Sequence, residues 1–475
     1  MKGNRYSYHQ CRSVILCLML IMATVTDMER LWAQTSDTSL FNPAKQDIII
    51  GHKRAVRGVT ELLVTQAVPW SINRFVRKAD FAKISFKSLS HNVQPSSWEW
   101  DDNSFQTNQF AHPFHGNLYF NTLRTNGYNF WGSAPAAFAG SLFWEVAGET
   151  HVPAPNDFIN TSLGGISLGE MTFRLSNALI DPSARGFKRT TQEILGLLLN
   201  PVNGLNRIID RKWGRVQPFS SQQVRPKLVH TFMDYGGRFF SEKTKDFFKR
   251  RGNNEFYLRL RVLYGNANEA SKIPFSSFAV TAEAGAADSG YINTLAVTGY
   301  LRRWKMRSTD KASHMGVISM NYDFLKNNAF EYGAQSFRYS IISDWKTKNP
   351  RNQLKTTAGG SLIVLAAVPD VYLYYGEGRN YDYGPGIGYH AGTEMSFNKK
   401  FFYSLQYRGG WFKTLNGNRS DFFLNTVTNE FRLEPRDNLF FTLELGHFSL
   451  QGNYQNYPDF TRSYPFLRYS TGFRF

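Results

Sequence analysis

Cysteine is almost missing from this chain. Its 475 residues hold Cys11 and Cys17 alone, both inside what reads as a removable leader, so the remainder has no thiol. Disulfide bracing and thiolate metal sites are thereby excluded. No apolar run reaches the ~20 residues that carry a helix across a bilayer. Acidic residues are in deficit too, 37 against 55 Lys and Arg, for a net charge of +18. Gly164 to Glu170 spells Gly-x-x-x-x-Gly-Glu and lacks the Lys-Ser/Thr pair that would hold phosphate and magnesium. A serine-hydrolase triad is not expected. His and carboxylates recur at helical spacing but in no recognised ligand pattern, so neither a metal nor any other cofactor is expected.

What the chain has in plenty is aromatic residues, 16% of the total, in a sequence whose mean hydropathy is −0.39. That combination marks a transmembrane β-barrel, each strand having one lipid face and one wet face. The first residues read as a secretory signal: Lys2, Arg5 and Arg12, then an apolar Val14 to Val25, then Leu31-Trp32-Ala33 as the cleavage site. Residues 1–33 hold four basic and two acidic residues, which leaves 51 against 35, or +16. For an exported protein this charge suits lipopolysaccharide and anionic lipid surfaces, and nucleic acid is not expected as a partner.

The chain is organised around Asp101 to Asp181, where helical spacing of apolar residues is interrupted by His, Glu, Arg and Asn. Before it, Arg54 to Val76 reads as an amphipathic helix, either a surface helix or a lid. Pro113 and Gly127 bracket the next helix, with His112 as its N-cap and His115 and Tyr119 along one side. Ser133 caps another, running to about Gly148, on which Ser141, Glu145 and Glu149 share a face. A third carries the polar stripe Glu170, Arg174, Asn177 and Asp181. The short Tyr128 to Gly132 connection makes the first two an antiparallel hairpin, which brings His112 near Glu145 and Glu149. Those three are the candidates for proton chemistry, with the histidine biased towards its charged form. The same trio serves equally as a buried hydrogen-bonded network.

From Arg225 onward about twelve alternating strands follow one another. Phe256, Leu258, Leu260, Val262 and Tyr264 face one way, while Glu255, Tyr257, Arg259 and Arg261 face the other. Leu467, Tyr469, Thr471, Phe473 and Phe475 share a face of the closing strand, resembling the C-terminal signal read by the barrel-assembly machinery. The connections Ser241 to Asn253, Val368 to Tyr383 and Gln451 to Arg462 are long, as extracellular loops are. Asn398-Lys399 and Glu434 to Asn438 are short, as periplasmic turns are.

Asn108-x-x-x-His112-Pro113-x-x-Gly116-x-x-Tyr119, Arg124-x-x-Gly127, Gly140-Ser141-x-x-Trp144-Glu145-x-x-x-Glu149, Asp157 and Gly165-x-x-x-Gly169-Glu170-x-x-x-Arg174 resemble domain-of-unknown-function family 3943, from envelope proteins of Gram-negative bacteria. The resemblance covers Trp98 to Asp210. It implies an outer-membrane barrel with an N-terminal helical module and brings no activity or ligand.

The expected architecture is a signal peptide (1–33), a linker (34–52), a helical domain (53–218) and an outer-membrane barrel (225–475). The helical domain is expected to plug the lumen or cap its periplasmic side. The expected function is to bind or transport an anionic or amphipathic envelope ligand, a lipid or a glycan. The alternatives are an enzyme acting on lipid or lipopolysaccharide, and a structural or adhesive barrel. Arg124, Ser141, Asp157, Glu170, Arg174, Arg259 and Arg261 are the candidate ligand-binding residues, beside His112, Glu145 and Glu149 for catalysis.

Overall fold

A computed structural model describes residues 45, 47–216, 229–287, 290–327, 331–373 and 378–475. The expected signal peptide and most of the linker lie outside these residues. Twelve strands form one closed antiparallel barrel. They are β1 (Val229–Phe240), β2 (Asn253–Tyr264), β3 (Phe278–Ala287), β4 (Gly290–Lys305), β5 (Ala312–Lys326) and β6 (Glu331–Trp345), followed by β7 (Gln353–Pro369), β8 (Tyr381–Phe397), β9 (Phe401–Lys413), β10 (Ser420–Arg436), β11 (Leu439–Tyr454) and β12 (Phe460–Arg474). The seam is β1 against β12, with Asp234 opposite Gly472 and Arg238 opposite Arg468. Chain start and chain end therefore share one rim, the terminal rim. The long connections 241–252 and 370–380 lie at the other, the loop rim, as expected. The 265–277 connection departs from the length rule, being long at the terminal rim.

Residues paired directly across antiparallel strands point the same way, so the register fixes what faces in. The row Arg261, Thr281, Ala296, Asp323, Ala334 faces the lumen. The next row, Val262, Val280, Val297, Tyr322, Gln335, faces out. Elsewhere the outward side chains are large and apolar and stand open: Tyr235 is 63% exposed, Tyr469 58% and Leu443 43%. A barrel apolar outside and charged inside is one that crosses the outer membrane.

Phe473 is on this open apolar face, whereas Arg474 faces inward, 3.3 Å from Glu434. Phe473→Asp is expected to abolish the heat-modifiable barrel, since a charge on the lipid face costs up to ~2–4 kcal/mol. Arg474→Asp is expected to leave most of it. Equal loss in both would overturn the assigned faces.

The helical region comprises α1 (Ala55–Ser71, extended by a π-helical turn Ile72–Val76), α2 (Phe86–Asn92), α3 (His112–Arg124), α4 (Phe130–Phe143, extended to Gly148), α5 (Pro155–Ile159), α6 (Gly165–Leu179), α7 (Gly186–Leu199) and α8 (Pro201–Ile209). A π-helical turn, Asn160–Gly164, fuses α5 and α6 into one rod. α6 is the central rod, buried along most of its length. α3 crosses it at a glycine pair: a Cβ on Gly116 would stand 1.7 Å from the Thr161 carbonyl oxygen, and one on Gly165 would stand 2.4 Å from the Gly116 Cα. His112 does not cap α3, because a π-helical turn (Thr107–Ala111) runs straight into it. The cap of α4 is Asn129, whose side chain accepts from the Gly132 N–H, and not Ser133.

The position of these helices differs from the expected one. They neither fill the lumen nor cap an end; they lie on the outer wall of β2 to β8. The outward row they cover is closed off, with Tyr322 0% and Val297 1% exposed. The Tyr322 hydroxyl donates to the Gln109 carbonyl at 2.7 Å, and Trp100 stacks on Tyr383 at 5.4 Å. The contact runs diagonally, from Tyr381 and Tyr383 near the loop rim to Phe275 at the terminal rim, where Phe130 stacks on it at 5.6 Å. Helical and barrel residues there form one core.

Candidate functional site

Three polar assemblies hold the candidate residues. The first is at the seam between helices and barrel wall. His112, on α3, has its Nε2 3.7 Å from the Asp157 carboxylate and its Nδ1 3.4 Å from the Thr161 hydroxyl. Asn156 donates to Asp157 at 2.7 Å and to the Tyr383 hydroxyl at 3.2 Å. Asn108 joins Asp101 and Tyr381, at 2.7 and 2.8 Å. The hairpin of α3 and α4 forms as expected, yet the carboxylate beside His112 is Asp157 and not Glu145 or Glu149. Glu145 is buried and accepts from the Ala154 N–H at 2.8 Å, an anchor for the start of α5. Glu149 ends the same hairpin arm, and its carbonyl, like those of Glu145 and His151, accepts from Asn92. Ser141 is buried against the Phe158 carbonyl at 3.5 Å. Among the described residues no three His, Cys, Asp or Glu side chains converge as a metal site would need.

One motif was overlooked in the sequence. Gly165-Ile166-Ser167-Leu168-Gly169 has the spelling of a hydrolase nucleophile elbow, which needs a sharp strand-to-helix turn that exposes the serine. Here it lies within the regular helix α6, and Ser167 is fully buried with its hydroxyl unpartnered. At this site, then, the serine is not presented as a nucleophile elbow presents it.

The second assembly is a buried quartet. Glu170 accepts from Arg124 at 2.7 Å and from Arg174 at 2.6 Å, and Asp47 is 2.8 Å from both arginines. The i,i+4 pairing of Glu170 with Arg174 was legible in the sequence. Arg174 also donates to the Pro274 carbonyl of the β2–β3 connection, at 3.0 Å. Arg124, Glu170 and Arg174 are completely buried, so they bind the fold together. Near the terminal rim Asp210, which follows α8, is gripped by Arg54 and Arg57. Burial raises its pKa, and the hydrogen bonds from Arg57 and Arg54 outweigh this, holding it below the usual carboxylate range.

The third assembly is the lumen. Arg259 and Arg261 face inward as expected and are both ion-paired. Arg259 pairs with Asp234 and Glu444, at 2.8 and 2.7 Å, and Arg261 with Glu430 at 3.0 Å. Arg468 and Arg238 share Glu283. Towards the loop rim Phe412, Phe422, Leu450, Tyr454 and Tyr464 close the interior as an apolar layer. Below it a cavity of about 370 Å³ remains, lined by Arg338, Arg408, Ser361 and Gln406 among others. Among the described residues neither Arg338 nor Arg408 has a carboxylate within salt-bridge distance. Arg338 escaped notice, because only the register across β6 to β9 brings it to the same cavity.

Solved structures that resemble the chain in part include the NanC porin (11% identity, TM-score 0.29, covering 50% of this chain and 98% of the porin). Another is the outer membrane channel DcaP of Acinetobacter baumannii (9%, TM-score 0.27, 52% and 96%). The KdgM porin is similar at 12% identity (TM-score 0.24, 51% and 98%). No curated protein matches. Residues 97–202 match the model of a domain of unknown function, DUF3943. The matched residues lie within the helical region on the barrel's outer wall and reach the start of α8.

Proposed function

We propose that the barrel binds an anionic envelope ligand, through the phosphate or carboxylate head of a lipid or glycan, in the lumen between Arg338 and Arg408. The observation that carries this reading is the imbalance in the cavity. The arginines on the β1–β2 side are each matched by a carboxylate, while Arg338 and Arg408 line the cavity with no carboxylate in salt-bridge distance among the described residues, Asp323 sharing the lining without pairing to either. Two neighbouring guanidiniums with no directly paired carboxylate are costly unless a ligand supplies one, and planar guanidinium suits bidentate capture of phosphate or carboxylate. About 370 Å³ falls in the usual range of small-molecule sites, ~300–1,000 Å³, which suits a headgroup and not a whole lipid. The apolar layer at the loop rim favours binding over free passage.

The test is native mass spectrometry of protein purified from outer membranes. Wild type is expected to carry an anionic adduct that the Arg338→Gln/Arg408→Gln double variant loses, at unchanged barrel yield. The same adduct on both would overturn the assignment.

A further inference from the structure

The surface that the helices turn away from the barrel has the polarity of a membrane protein. On α1 and its π-helical turn, Val56, Leu63, Val64, Val68, Ile72 and Phe75 are exposed; Thr60 is the one exposed polar side chain between Ala55 and Val76. On α4 the exposed residues are Trp131, Pro135, Phe138, Ala139, Leu142 and Phe143. On α7 and α8, Leu198, Leu205 and Ile209 continue the face. Arg124, Glu145, Asp157, Glu170 and Arg174, charges that the helical region carries, are turned inward and buried. A water-soluble bundle has the opposite arrangement.

Two further observations give this face an environment. The helices are seated on a stretch of wall that is otherwise continuous with the lipid-facing belt, and they reach both rims. Their own charges gather at those rims. Lys53, Arg54 and Arg57 stand at the start of α1, and Arg74, Arg77 and Lys78 at its end. Arg57 and Arg74 are separated by ~25 Å at 1.5 Å per residue, which equals the ~25 Å apolar band of an outer-membrane barrel. Glu61, which lies between them, is turned to Arg57 and Asn126.

We infer that the helical region is itself immersed in the bilayer beside the barrel, its aliphatic face in contact with lipid acyl chains. Among the described residues no helix is long and apolar enough to cross by itself. The polar side of each helix is turned into the bundle or onto the barrel wall, away from lipid, as intramembrane polar groups are.

The test uses the full chain in phosphatidylcholine vesicles, with Cys11 and Cys17 replaced by Ser and one nitroxide-labelled cysteine at a time. Val64→Cys, Leu142→Cys and Leu198→Cys are expected to favour collisions with oxygen over an aqueous nickel chelate, as Leu443→Cys on the barrel wall does. Lys83→Cys should favour nickel. Nickel-favoured collisions at the three helical sites would overturn the inference, and so would exclusion of both reagents, which would put a protein partner there. A phosphatidylcholine carrying a diazirine on its acyl chain tests the unsubstituted chain. Crosslinks in peptides from 55–76 and 130–143 support immersion, and labelling confined to the strands defeats it.

Discussion

Glu170→Leu is expected to release the helices from the barrel. The carboxylate it removes holds both Arg124 and Arg174, and none of the three is exposed to water. Asp47 remains, but a single carboxylate cannot neutralise two guanidiniums, so one buried positive charge is left unmatched. Breaking a buried pair from one side costs ~3–5 kcal/mol, a large part of the ~5–15 kcal/mol that holds a typical domain folded. Arg174 also donates to the Pro274 carbonyl, so the strain falls on the contact with the barrel. Limited proteolysis of detergent-solubilised protein should cut residues 100–210 in the variant and spare them in wild type, while the barrel stays heat-modifiable. Replacing the arginine as well, in Glu170→Leu/Arg174→Met, should restore part of the resistance. If the single variant resists protease like wild type, the quartet does not hold the helices in place.

Gly116→Val is expected to be nearly as severe for a different reason. α3 and α6 approach so closely at Gly116 and Gly165 that the first atom of any side chain would meet the Thr161 carbonyl. Ordinary overpacking costs ~1–3 kcal/mol because side chains can turn aside. Here the obstacle is backbone, so the two rods must separate, and the Phe120 packing on Gly169 one turn away is lost with them. Thermal unfolding should show a helical transition well below that of wild type. Gly132→Val, beside an exposed part of α4, is the milder control. Equal transitions for the two variants would show that the crossing tolerates a side chain.

These two sites also mark how far the sequence could be read. The barrel was legible because the period of a strand is two. The alternation of Arg259 and Arg261 with Leu258 and Leu260 fixes inside and outside without knowledge of any partner. The stripe of Glu170 and Arg174 was legible as a buried face for the same kind of reason. Its surroundings were not, since a polar stripe has the same spacing whether it packs into a lumen or into the middle of a lipid-facing bundle. Arg124 lies 46 residues from its partner Glu170, and Asp47 sits in a segment that looked like linker. Neither distance leaves a mark in local pattern. The trio of His112, Glu145 and Glu149 was drawn from the hairpin alone. The π-helical turns before α3 and after α4 change which residues meet, and Asp157 takes the place beside the histidine.

The diagonal contact on the barrel wall also sets an order of events. The platform that receives the helices is a composite of β2 to β8, and it does not exist until those strands have paired. Tyr322, Gln335, Tyr381 and Tyr383 come from three different strands, the first and the last 61 positions apart. The segment that leaves the ribosome first is therefore the last to reach its seat. Until then its aliphatic face and its buried arginines both lack a surrounding. Slowing wall closure is therefore expected to lengthen the time that the N-terminal half remains open to protease.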